Sequence, residues 1–273
     1  MIGWGISDFF LAKAVRKDNV LKVFIWSQII GLILFILIFS LFFQLQTISI
    51  ISIIILLISG FLGVISGLAF SKGLQVGYVS IITPVSAAAA VVTVFLSLIF
   101  LNQFLTSLQA VGIAIIILGT ILTSFKYHDL IKLKLKNVVN GVGYAIIAMI
   151  GWGILFFFID ILVSDLGWFI PIFYIKILGV SYMLTYSGIT KKNISFPKTV
   201  ALFVVLSGIL ESVAFLSFGV GVSLEFGVVV APIAFAFPIV AIILARIFFK
   251  EFLELNQKIG VVSILAGLVL LAI

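Results

Sequence analysis

Apolar residues fill long, nearly unbroken stretches of this chain, and the polar positions gather into short clusters between them. A typical stretch holds about 20 residues, enough to cross ~30 Å of hydrocarbon as a helix. Backbone groups in hydrocarbon must pair within their own segment, and the strict alternation of a membrane barrel is absent. The pattern predicts helices near residues 1–15, 20–43, 48–70, 75–101, 106–125, 141–163, 168–188, 199–219, 226–249 and 256–273. The expected fold class is an all-α membrane protein with ten transmembrane helices.

The residues MIGWGI open the chain and recur at 149–154. A single shift of 148 residues aligns the two halves without a gap: Gly3, Trp4 and Gly5 fall on Gly151, Trp152 and Gly153, Gly31 on Gly179, and Gly60 on Gly208. Further on, Phe70 and Gly73 meet Phe218 and Gly221, Pro84 meets Pro232, and Gln109, Gly112 and Gly119 meet Gln257, Gly260 and Gly267. Glycine matches alone would mean little in membrane helices, but one offset that also aligns Trp, Pro and Gln marks a duplication. The expected units are a first five-helix repeat over 1–125, a basic linker over 126–140 and a second five-helix repeat over 141–273. Five is odd, so the second unit enters the membrane from the opposite side and the repeats are expected to be inverted. Inverted repeats share a site near the midplane that opens to either side by rocking. Duplication kept for stability alone is the other reading, although solenoid repeats are shorter. Because Met149 is the equivalent of Met1 and residues 1–13 rise only about 20 Å as a helix, the first helix is expected to be truncated, with its start upstream.

Composition agrees with the pattern: 64% of the 273 residues are hydrophobic and 9% charged, which excludes an ordinary soluble domain. The net charge of +7 is topological. Fifteen of the sixteen basic residues fall in or beside the connections after spans one, three, five, seven and nine, whereas the opposite side offers Asp165 and Glu225. The positive-inside rule then places the basic loops in the cytoplasm and both termini outside the cell membrane. No basic stripe interleaved with aromatics points to nucleic acid. The absence of cysteine excludes disulfides, thiolate metal sites and a Cys nucleophile. The first segment lacks the basic n-region and cleavage site of a signal peptide.

Further motifs carry a resemblance. Both halves have WG in the first helix (Trp4-Gly5, Trp152-Gly153). Each has a third and fourth helix joined by a turn, SGFLGVISGLAFSKGLQVGYVSIITPVSA and SGILESVAFLSFGVGVSLEFGVVVAPIAF. Each closes with a polar turn and a Gly-containing last helix, LNQFLTSLQAVGIAIIILG and FKEFLELNQKIGVVSILAG. In these motifs the chain resembles the ten-span EamA-like transporters of the drug/metabolite transporter superfamily over essentially its whole length. The resemblance implies a central cavity lined mainly by helices one to four and their inverted partners, with helices five and ten peripheral.

Ionisable groups inside a spanning helix are costly and call for a partner or a task. Asp8 lies within helix one and aligns with Phe156; in a cavity its carboxylate can bind a proton or a cationic group, or it can pair with a nearby Lys such as Lys72. Lys176 and Glu211 come to similar depth from opposite ends of helices seven and eight. They form either a structural ion pair or one that opens for a zwitterionic or carboxylate substrate, with Gln28, the repeat partner of Lys176, adding a neutral hydrogen bond. Pro84 and Pro232 interrupt matching helices, with Pro238 a second break, which marks either a transporter site or packing kinks. Trp4 and Trp152 lie well inside their helices as cavity walls or packing pieces, whereas Trp26 and Trp168 suit the interfacial belt. The expected substrate-binding set is Trp4, Asp8, Gln28, Pro84, Trp152, Lys176, Glu211 and Pro232.

An enzyme would need a nucleophile with a base, or a metal cluster, and the lone His128 beside Asp129 supplies neither. No Walker loop supports ATP-driven pumping, and no carbonyl filter or charged ring marks a channel. The expected activity is secondary transport of a small organic metabolite, an amino acid or similar, by alternating access. Coupling runs by proton exchange through Asp8 or Glu211, or there is none. The alternatives are an uncoupled facilitator or channel for small solutes, and an exporter of sugars, nucleosides or drugs. Expected partners are the lipid bilayer, the substrate, protons if coupled and at most a second copy of the chain; neither cofactor nor metal is expected.

Overall fold

The computed structural model describes residues 1–42, 47–123, 141–248 and 254–272, and the basic linker with His128 lies outside them. The described residues are mainly helical and contain no strand. In chain order the helices are α1 (Ile2–Val15), α2 (Val20–Phe42), α3 (Ile50–Val76), α4 (Val79–Ala87), α5 (Ala89–Phe100), α6 (Ser107–Thr123), α7 (Val142–Leu166), α8 (Ile170–Ile189), α9 (Ala201–Leu224), α10 (Gly227–Ala234), α11 (Pro238–Phe248) and α12 (Leu255–Ala272). A 3₁₀ turn, Lys198–Val200, leads into α9. Among the described residues, seven segments are long and apolar enough to cross a membrane, two of them the joined pairs α4–α5 and α10–α11; the apolar stretch in α6 is shorter.

Local chemistry explains several helix starts. Asn19 caps α2 by accepting from the backbone N–H of Leu21 at 2.9 Å, and Ser49 caps α3 by accepting from that of Ser52 at 3.1 Å. The last helix of each half begins with the same device. Gln109 Oε1 accepts from Thr106 N at 3.0 Å while Thr106 Oγ1 accepts from Gln109 N at 3.2 Å, and Gln257 Oε1 accepts from Glu254 N at 3.1 Å, one offset of 148 away.

Several boundaries differ from expectation, the end of α9 at Leu224 rather than near residue 219 among them. Helix α3 runs to Val76 rather than ending near residue 70, because its polar last turn has partners: Gln75 Nε2 donates to Val15 O at 2.8 Å, and Arg16 donates to Leu74 O and Gly77 O. The stretches expected as single helices over 75–101 and 226–249 are each two helices. Helix α4 continues through Pro84 and turns at Ala88, whose N–H reaches back to both Pro84 O and Val85 O, and α10 continues through Pro232 and breaks before Pro238 opens α11. A proline deletes the hydrogen bond to the preceding turn, and the break appears about one turn after it.

In hydrocarbon, helices gain little from burying apolar surface against one another and associate by close packing of small residues. Most extensive contacts here join one half to the other: α3 with α7 and its counterpart α1 with α9, α2 with α9 and α3 with α8, and α6 with α12. The contacts are reciprocal. A Cβ at Gly5 would strike Val240 and Phe237 O, and one at Gly153 would strike their offset partners Val92 and Ala89 O. Gly119 lies against Gly260 O and Ile264, and Gly267 against Gly112 O and Ile116. Such exchange, i on j and j on i, is the mark of a two-fold relation. Between the paired helices sits an aromatic-rich core that includes Phe35, Phe156, Phe169, Phe218 and Phe235.

Candidate functional site

A cavity of about 980 Å³, counting its open mouth, lies among the helices the two halves exchange. One face of each of six helices lines it, at the spacing of successive helical turns: Trp4, Ser7, Asp8 and Leu11 on α1, Phe24, Ser27 and Gln28 on α2, Gly60, Gly63, Val64 and Gly67 on α3, Trp152, Leu155 and Phe156 on α7, Ile172, Ile175, Lys176, Gly179 and Met183 on α8, and Ser207, Glu211 and Phe215 on α9. The break between α10 and α11 adds Phe235 and Phe237, whereas the described residues of α6 and α12 contribute nothing.

Three polar side chains form a closed ring across the wall. Lys176 Nζ donates to Glu211 Oε2 at 2.9 Å and to Gln28 Oε1 at 2.7 Å, and Gln28 Nε2 donates to Glu211 Oε1 and Oε2 at 3.1 and 2.9 Å. Gln28 and Lys176, which the 148-residue offset aligns, are thus in direct contact. Lys176 is 6% exposed and Glu211 20%, and a charge so buried is tolerable when paired and hydrogen-bonded. Lys176 Nζ also stands 5.7 Å from the centre of the Phe215 ring.

Asp8 is 7% exposed, and its Oδ2 has no hydrogen-bond partner among the described residues. Lys72 donates to Gln75 Oε1 at 2.7 Å, so the pairing between Lys72 and Asp8 weighed from sequence is not formed. Glu211, another carboxylate, lines the same cavity. Next to it in the chain, Ser7 Oγ donates to Ser207 O at 3.0 Å and ties α1 to α9.

The structure brings together Trp4, Asp8, Gln28, Trp152, Lys176 and Glu211 on this one cavity; Pro84 and Pro232 are buried in α4 and α10 outside its lining. The two tryptophans are placed alike: Trp4 packs on Phe156, Phe215 and Phe218, and Trp152 on Phe70, the offset partner of Phe218. Sequence reasoning omits the buried Asp160 of α7, an intramembrane carboxylate that calls for a partner or a task as Asp8 does. It accepts from Gln103 Nε2 at 2.7 Å, and Gln103 Oε1 accepts from Val228 N at 3.0 Å at the start of α10, so this carboxylate braces a helix end away from the cavity. Among the described residues no cluster of three or more His, Cys, Asp or Glu could hold a metal ion.

Comparison with known proteins gives three findings. The model of the EamA-like transporter family matches residues 1–125 and 139–273. The uncharacterised protein MJ1333.1 of Methanocaldococcus jannaschii is 36% identical over 121 residues, which are 44% of this chain and 88% of that protein. A solved protein crystal structure shares the fold with a TM-score of 0.73 at 14% identity, over 100% of this chain and 97% of that one.

Proposed function

Since the chain belongs to the EamA-like transporter family, a family of multi-pass membrane proteins, we propose that it is a secondary transporter carrying a small organic metabolite, an amino acid or similar, across the cytoplasmic membrane by alternating access. The observation that carries this reading is the Gln28–Lys176–Glu211 ring, built from both halves on the wall of the cavity they share. The reciprocal glycine contacts support two inverted five-span repeats, 1–125 and 141–273, with α4–α5 and α10–α11 each counted as one span. The basic loops face the cytoplasm in this reading, and both termini lie outside.

The ring suggests how cargo and conformation are linked. Opening it exposes one buried cation and one buried anion, each costly alone. A zwitterionic cargo offsets that cost by giving its carboxylate to Lys176 and its ammonium to Glu211, while Gln28 turns with whichever partner remains. When the cargo leaves, the ring recloses, and the halves rock about the shared wall. Coupling to protons runs through Asp8 or Glu211, or the exchange is uncoupled.

The test is counterflow in vesicles containing the reconstituted protein, using radiolabelled L-phenylalanine and L-leucine against unlabelled excess. Uptake in the wild type that disappears in Glu211→Gln and Trp152→Ala variants that still unfold cooperatively is the expected result. Full counterflow in both variants would sink this map of the site.

A further inference from the structure

The charges in the cavity do not balance. Lys176 and Glu211 satisfy each other, with Gln28 closing the ring, and among the described residues Asp8 is left without a counter-charge. The cations nearest along the chain and on the adjoining helix are engaged elsewhere. Lys72 serves Gln75, Arg16 serves the end of α3, and Lys13 sits among rings, 4.4 Å from the centre of Phe9 and 4.6 Å from that of Phe248. Among the described residues no cation meets this buried carboxylate, so it either keeps its proton or takes a positive partner from outside the chain.

The walls around Asp8 suit such a partner. Trp4 is one turn away on the same helix, and Phe156, Phe215 and Phe235 stand on the second half's side of the cavity. Ring faces attract cations and also accept apolar groups. On α3, a Cβ at Gly63 would make only an ordinary contact, with Leu155 at 3.7 Å, so this stretch of wall accepts a small group without a clash.

Resting on the transport reading above, we infer that Asp8 anchors a cationic amine, and that the favoured cargo is a monocationic amine on an apolar or aromatic body. The ammonium sits between Asp8 and the aromatic wall, and the body lies beside Gly63 of α3. A cargo with a free carboxylate has to open the Lys176–Glu211 pair before it is held, as the zwitterion does in the transport reading, whereas an amine without one binds Asp8 with the pair closed.

Three probes with one aromatic body separate the charges: 2-phenylethylamine (cation), L-phenylalanine (zwitterion) and 3-phenylpropionate (anion). Binding to the purified protein is read by thermal shift, and flux by counterflow in vesicles. The expected result is that phenylethylamine binds most tightly and phenylpropionate least, and that Asp8→Asn weakens phenylethylamine by about tenfold or more while leaving the melting profile cooperative. Equal binding of the amine by wild type and Asp8→Asn overturns the anchor, as does tighter binding of the zwitterion or the anion by the wild type, a result independent of whether the variant folds. The two readings fail separately. Amine binding without flux of any probe keeps the anchor and removes transport, whereas phenylalanine counterflow without amine binding keeps transport and removes the anchor.

Discussion

The two halves match where they hold the backbone and differ where they face the cavity. Gly5 and Gly153 meet equivalent neighbours, as do Gly119 and Gly267, and the last helix of each half starts with a capping glutamine. Along the cavity the pairs diverge: Asp8 faces Phe156 across the offset, Gln28 faces Lys176, Gly63 faces Glu211, and Ala87 and Ala89 stand where the second half has Phe235 and Phe237. Packing between helices tolerates few solutions, because a close approach admits no added Cβ. A cavity wall has no such neighbour to satisfy, so, Trp4 and Trp152 aside, the copies have diverged there: the second supplies Lys176, Glu211, Phe235 and Phe237, and the first Asp8 and, at Gly63, a stretch of wall without a side chain.

Removing the second half's charge should cost most. Glu211→Ala leaves Lys176 buried with only Gln28, and stability in detergent should fall by about 3–5 kcal/mol. A Lys176→Met, Glu211→Met double variant should recover most of that loss while counterflow stays absent. Next come the glycines on which the symmetry rests. Gly5→Leu and Gly153→Leu should each destabilise by about 1–3 kcal/mol through overpacking, and by similar amounts in thermal unfolding; a large difference between them would break the comparison. Gly63→Leu, which gives the open wall a side chain, should leave stability within about 1 kcal/mol and yet reduce counterflow strongly, because the side chain occupies cargo space. The smallest effect belongs to Lys72→Met, which loses one bond to Gln75 and should shift stability by at most about 0.5 kcal/mol without altering transport.

Much of this was legible in the sequence, for reasons that differ by residue. Apolar runs of span length give the helices, and depth along α8 and α9 brings Lys176 opposite Glu211, which the 2.9 Å bond bears out. The offset alone points to Gln28 as the third member of the ring. The end of α3 was not legible, because Ser71, Lys72 and Gln75 look like a loop until α1 supplies partners for that turn. Neither was the choice open to Asp8, since sequence spacing cannot show that Lys72 turns to Gln75 instead. Prolines announce that a helix will break but not where; the turn at Ala88 comes from the carbonyls that Pro84 and its neighbour present. Asp160 and Gln103 meet through three separate elements, a contact to which no local pattern points.

The pairing of α6 with α12 bears on how the molecule is made. Gly119 in α6 finds its close contacts at Gly260 and Ile264, and α1 and α3 likewise find theirs on α9 and α7. During synthesis the helices of the first half therefore emerge before the partners of their small-residue faces exist. Contacts of such long sequence separation form late. Assembly of this bundle ends only when the last helix has left the translocation machinery, and a ribosome stalled before α12 would leave an unfinished bundle in the membrane for quality control to remove.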